Sequence, residues 1–128
     1  MTSLRGAKSG RSDVEGRSSK RRRGEWGYLI MWEFQVRPGM EKRFEKIYGS
    51  DGDWARLFIQ DESYIGTDLV HSLNGQRTYI TLDFWRSRQA YDKFRKRHLA
   101  NYKTLDQQCE DLTESEREIG RFVRVPSK

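Results

Sequence analysis

The sequence predicts an α+β domain in which an antiparallel sheet carries its helices on one face. Three observations lead there. Residues 77–85 alternate, with Ile80, Leu82 and Phe84 on one side and Tyr79, Thr81, Asp83 and Trp85 on the other. At Arg86-Ser87 the alternation stops and the apolar period lengthens to that of a helix. Along the chain such segments follow the order strand, helix, strand, strand, helix, strand. That order is the split βαβ, or ferredoxin-like, unit, and right-handed crossovers place both helices on the same side of the sheet.

Taken in order, residues 1–24 are Ser, Gly, Arg and Lys with almost no apolar side chain, a composition that cannot bury enough surface to order itself. A disordered basic tail is expected there, ahead of a domain spanning 25–128. Strand one is expected over 27–37, with Ile30, Trp32, Phe34 and Val36 on one face; Pro38-Gly39 ends it, because proline lacks a ladder donor. Residues 40–48 place Phe44, Ile47 and Tyr48 at helical spacing. Asp53 is the expected cap of a short further helix that turns Trp54, Leu57 and Phe58 inward. Strand two is expected over 64–73, and Asn74-Gly75 is a hairpin signal because both residues tolerate positive φ. After strand three, Ser87 can cap one long helix over 88–112, striped by Tyr91, Phe94, His98, Leu105, Cys109 and Leu112. Residues 118–125 form strand four, where Ile119 alternates poorly beside Gly120, and Pro126 stops it.

Charge narrows the function classes. The 128 residues carry a net +6, which would suit a nucleic-acid binder, but the first 24 residues hold eight basic and two acidic side chains. What remains has 17 of each sign, so the domain is neutral and any nucleic-acid contact belongs to the tail. A single cysteine, Cys109, cannot form an internal disulfide and fits a reducing cytoplasm. The longest apolar run, residues 28–32, is too short to span a bilayer. Apolar residues on both faces of strand three leave the helix-free side of the sheet in need of a cover. A second copy of the sheet is the simplest one, so a homodimer is expected.

The segments WEFQVRPGMEKRFEKIYG, GDWARLF, YIGTDL, YITLDFWRSRQAYDKF and LDQQCEDLTESEREIG make the chain similar to the antibiotic biosynthesis monooxygenase-like group of dimeric α/β-barrel proteins. The resemblance runs from Trp26 to Gly120. It implies a ligand pocket between helices and sheet, with the Trp85 face looking into it and the Ile80 face meeting the partner subunit. It also implies an activity: members include oxygenases of polyketide phenols that work without a cofactor. Haem-degrading enzymes and small proteins without assigned activity are further members, so a non-catalytic dimer binding a small ligand stands as the alternative, with haem degradation behind it.

A cofactor-free oxygenase acts on a molecule that can itself reduce O₂, such as an ionised phenol or anthrone. The protein must remove a proton, stabilise an oxyanion and exclude water. Trp85 and Tyr91 match the family's aromatic pair six positions apart and are the candidate donors; His98, two helical turns beyond Tyr91, is the candidate base. Trp32, Tyr79, Thr81, Asp83 and Phe94 are the expected substrate-lining residues. Packing at a strand–helix junction is the competing account of Trp85 and Tyr91, a hydrogen-bonded semi-buried histidine that of His98, and a structural ion pair that of Asp83. Where such oxygenases carry an asparagine four positions before the tryptophan, this chain has Thr81. The haem-degrading members combine Asn, Trp and His, whereas strand one here has no asparagine and His98 lies further along its helix than their histidine. His71, Asp83 and His98 share no ligand spacing, so no metal is expected.

Overall fold

The computed structural model describes residues 26–126, and the predicted tail at 1–24 lies outside them. Four strands, β1 (Tyr28–Val36), β2 (Tyr64–His71), β3 (Thr78–Trp85) and β4 (Thr113–Val123), form one sheet in the order β2-β3-β1-β4. All neighbouring pairs are antiparallel. Helices α1 (Glu41–Tyr48) and α2 (Asp53–Phe58) connect β1 to β2; α3 (Arg88–Arg97), α4 (Leu99–Gln108) and a 3₁₀ turn (Glu110–Leu112) connect β3 to β4. This is the ferredoxin-like α+β fold that the order of elements predicts.

The core lies between sheet and helices. Alternate residues of β1, from Tyr28 through Ile30, Trp32 and Phe34 to Val36, are all buried, and they meet Phe44, Tyr48, Trp54, Phe58, Phe94 and Tyr102 from the helices. The register sets the inner residues in rows across the sheet. Trp32 stands opposite Thr81, Ile30 opposite Asp83, and Tyr28 opposite Trp85. On β2, Thr67 pairs with Asp83 and Tyr64 with Trp85.

Several sequence expectations are corrected. Helix 88–112 is two helices. His98 has φ −113° and ψ 25°, which breaks the helical run between α3 and α4. Strand four begins at Thr113 rather than Glu118, because it bulges twice against β1. One bulge skips Ile119 and the other Glu114, so the strand's alternation breaks at both points. β2 ends at His71 instead of Leu73, and the hairpin to β3 is not a tight Asn-Gly turn. There Arg77, at φ 57°, takes the left-handed backbone, held by its Nε donating to Val36 O at 2.9 Å. Asp53 is the first residue of α2, and Gly52 occupies the cap position. A Cβ on Gly52 would come within 2.2 Å of the Ile47 carbonyl oxygen, so the close approach of α1 and α2 requires glycine. Ser87 caps α3 as its chemistry predicts, its Oγ accepting from Ala90 N–H at 3.1 Å.

Candidate active site

Trp85 ends β3 at the foot of α3 and is fully buried. Four aromatic rings close around it. Phe58 and Tyr64 have centroids 5.3 Å away, and Tyr91 and Phe94 lie at 5.1 Å. Tyr91 and Phe94 reach this point because they are three residues apart on α3 and share its inner face. Tyr28 completes the group beside Tyr91, with ring centroids 5.8 Å apart.

Polar atoms in this aromatic junction are left over. Trp85 Nε1 is buried with no hydrogen-bond partner, and Thr81 Oγ1 likewise. The Tyr91 hydroxyl is buried without a well-formed hydrogen bond. Burial pushes its pKa well above the usual tyrosine value, while the guanidinium groups of Arg95 and then Arg121 oppose that rise. Buried groups without partners are uncommon and point to a function or to a ligand that completes them.

One polar relay is complete. The Tyr64 hydroxyl donates to Thr67 Oγ1 at 2.6 Å, and Thr67 donates to Asp83 Oδ1 at 2.7 Å. Desolvation by burial, and then the charge of Asp83, raise the Tyr64 pKa well above its ordinary value. Asp83 is therefore anchored within the sheet by β2, and Tyr64 stays protonated.

The structure brings Trp85, Tyr91 and Phe94 together and sets Asp83 one pleat from them on the same face. His98 is half-buried, its ring 4.8 Å from that of Phe94. Phe94 thus stands between His98 and Trp85. Trp32 and Thr81 occupy the middle of the inner sheet face, both buried. Tyr79 lies at its far end, where its hydroxyl donates to Glu45 and His71 stacks on its ring at 4.3 Å. Trp32, Tyr79, Thr81, Asp83 and Trp85 therefore spread along one sheet face, and Trp85 forms the junction with Tyr91 and Phe94 of α3.

Sequence reasoning missed Tyr28, Phe58, Tyr64, Thr67 and Arg95. The last had a signal, since Arg95 follows Tyr91 by four residues on one helix. The others become neighbours through strand register and helix docking, which no spacing rule shows. A cavity of about 300 Å³ lies elsewhere, lined by Tyr48, Asp106, Cys109, Glu110, Glu114 and Glu116 among others, and none of its lining residues belongs to the junction. Among the described residues no group of three His, Cys, Asp or Glu side chains could hold a metal ion. The two histidines do not suit an axial haem ligand at the junction either. His71 is exposed and flat on Tyr79, and His98 has Phe94 between it and Trp85. No helix of the described residues is long and apolar enough to cross a membrane.

Comparison with known proteins supports the fold and supplies the family. No curated protein sequence matches the chain. Among solved structures it is similar to SnoaB, a cofactor-independent oxygenase from Streptomyces nogalater, with 14% identity and a TM-score of 0.60 over 80% of this chain and 96% of that one. PA3566 from Pseudomonas aeruginosa aligns at 12% identity and TM-score 0.56, covering 79% of this chain and 96% of its own. A conserved protein from Methanosarcina mazei aligns at 14% and 0.55, covering 79% and 95%. At these identities the structural likeness concerns the fold. The sequence family described as antibiotic biosynthesis monooxygenase matches residues 27–101, more than half of the chain. By that match, which takes in β1, β3 and the whole Trp85 junction, the chain belongs to the antibiotic biosynthesis monooxygenase family.

Proposed function

We propose that this protein is a monooxygenase-type enzyme of the cytoplasm, working as a homodimer and without a cofactor on a small aromatic or polyketide-like molecule at the β3–α3 junction. Family membership supports the reaction class, and the cofactor-independent neighbour SnoaB supports the lack of a cofactor. One observation carries the site: Trp85 N–H and the Tyr91 hydroxyl are buried donors without a well-formed hydrogen bond, in contact with each other through rings 5.1 Å apart. Leaving such donors unsatisfied costs about 1–3 kcal/mol each. A substrate oxyanion would satisfy them and be stabilised by them.

The reaction balances without added electrons. Proton loss from an anthrone-type CH₂ leaves a carbanion, which transfers an electron to O₂; the resulting radicals combine to a peroxide. Protonation and loss of water then leave one oxygen atom as the new carbonyl and the other in water. In this scheme Trp85 and Tyr91 hold the developing oxyanion. His98, at the α3–α4 break with its ring against Phe94, takes the proton directly from the part of the substrate that extends past Phe94. The surrounding rings exclude water, which protects the carbanion.

Oxygen-electrode assays with a panel of anthrones and quinols test this. One O₂ should disappear per substrate oxidised, and His98→Ala should slow uptake. No uptake above the spontaneous rate with any of the panel sinks the oxygenase reading. A second reading, a non-catalytic dimer that binds a small ligand, draws on the tight closure around Trp85, where Trp85, Tyr91 and Phe94 are at most 1% exposed. Saturable binding without oxygen uptake would favour it.

A further inference from the structure

Arg95 is a half-buried cation without a carboxylate partner among the described residues, unlike two arginines near it. Arg121 is clamped by Glu118 at 3.1 Å, and Arg97 by Asp61 at 3.3 Å. Arg95, among the described residues, has no carboxylate within ion-pair distance. It is half-buried, its guanidinium lies 4.4 Å from the centroid of the Tyr102 ring, and its Nε–H is buried without an acceptor. One turn of α3 back, on the same face, stands Tyr91 with its own underused hydroxyl, and against that ring lies Trp85 with a third orphaned donor. Trp85 N–H, Tyr91 O–H and Arg95 Nε–H all offer a proton, and none meets an acceptor in good geometry among the described residues, although the Arg95 guanidinium lies near enough to the Tyr91 oxygen to favour negative charge there. Asp83 also faces Tyr91, but its Oδ1 accepts from Thr67 at 2.7 Å, and it acts on the Tyr91 hydroxyl less than Arg95 does.

We infer that Arg95 makes this junction select an anion: an aromatic molecule bearing a carboxylate, whose oxygens sit between the Arg95 guanidinium and the Tyr91 hydroxyl. The inference rests on the reading of the junction as a substrate site, and it adds the charge class of the substrate and the residue that sets it. A planar guanidinium suits this task, because it is always charged and presents its donors in a fixed fork. Stacking on Tyr102 holds the fork in place.

The experiment compares two probes with one ring system, anthraquinone-2-carboxylate and its methyl ester, titrated against the full-length protein by tryptophan fluorescence quenching. The wild type should bind the acid about tenfold more tightly than the ester, the scale of one charge-assisted hydrogen bond. Arg95→Gln should abolish that preference with an unchanged circular dichroism spectrum, and Arg95→Lys should keep part of it because the charge remains. Arg97→Gln, which removes a cation already paired with Asp61, should leave the preference intact. Equal affinity for the two probes, absence of saturable binding of either, or a preference that survives Arg95→Gln overturns the inference. Oxygen uptake plays no part in the titration. A protein that prefers the acid yet oxidises nothing supports this inference and refutes the oxygenase reading.

Discussion

Tyr91 shows at the scale of one residue how a site conflicts with stability. Its ring is a full member of the core, at 1% exposure, packed on Trp85 and Tyr28. Its hydroxyl, in contrast, is taken from water without adequate replacement, which is costly in a core of this kind. Tyr91→Phe keeps the ring and deletes the unsatisfied group. Urea denaturation should therefore show the variant as stable as the wild type or more so, by up to about 1 kcal/mol. If the junction is catalytic, the same variant should slow turnover on any substrate the protein oxidises, because the lost donor serves the oxyanion. A variant that loses more than about 1 kcal/mol of stability would show that the hydroxyl is already well bonded in the native protein. Trp85 and Tyr91 were readable as candidates from their resemblance to the family's aromatic pair. Their being orphaned was not, since satisfaction depends on what β2 and α2 bring near.

At the scale of an element, α3 decides the site, because it presents Tyr91, Phe94 and Arg95 from one short helix. Ser87 starts it by satisfying the Ala90 N–H at 3.1 Å, and the backbone change at His98 ends it. Ser87→Ala should cost about 1 kcal/mol of stability, the usual value of an N-cap, measurable as a lower urea midpoint with an unchanged slope. An unchanged midpoint would mean that docking of Tyr91 and Phe94 against Trp85 alone holds the helix start. The helix break also explains the position of His98. In one continuous helix it would repeat the Tyr91 stripe; at the break it sits half-buried behind Phe94. The apolar period continued through 98 and on to Leu105, so the periodicity carried no sign of the interruption.

At the scale of the whole molecule, the sheet has two faces and the described chain covers one. On the other face Leu29, Met31, Ile80 and Leu82 are half-buried, flanked by the Glu33–Arg117 pair, while Phe84 is covered in part by Trp26 at 5.3 Å. We expect a second copy to cover this face. Leu82→Lys should then convert a dimer into a monomer or a poorly folded chain, since a lysine buried there without a partner costs several kcal/mol. Multi-angle light scattering of the wild type at micromolar concentration decides the matter. A stable wild-type monomer would remove the dimer, and a dimer unaffected by Leu82→Lys would move the interface to another surface. Leu82 is the better probe than Phe84, which is 7% exposed and packed within its own chain.

The sequence by itself determined the order of elements, the inner and outer faces of β1 and β3 and the cap at Ser87. These follow from alternation, helical spacing and local hydrogen bonding, all of which act between residues close in the chain. Tertiary structure decided the rest. It set the bulges that start β4 at Thr113, the left-handed Arg77 of the hairpin, and the Tyr64–Thr67–Asp83 relay. It also left Arg95 as the unpaired cation among the described residues beside the junction. Each of these depends on which side chains or carbonyls arrive from distant segments. A pattern along one strand or helix records which way a residue faces, but not what it meets there or what it lacks.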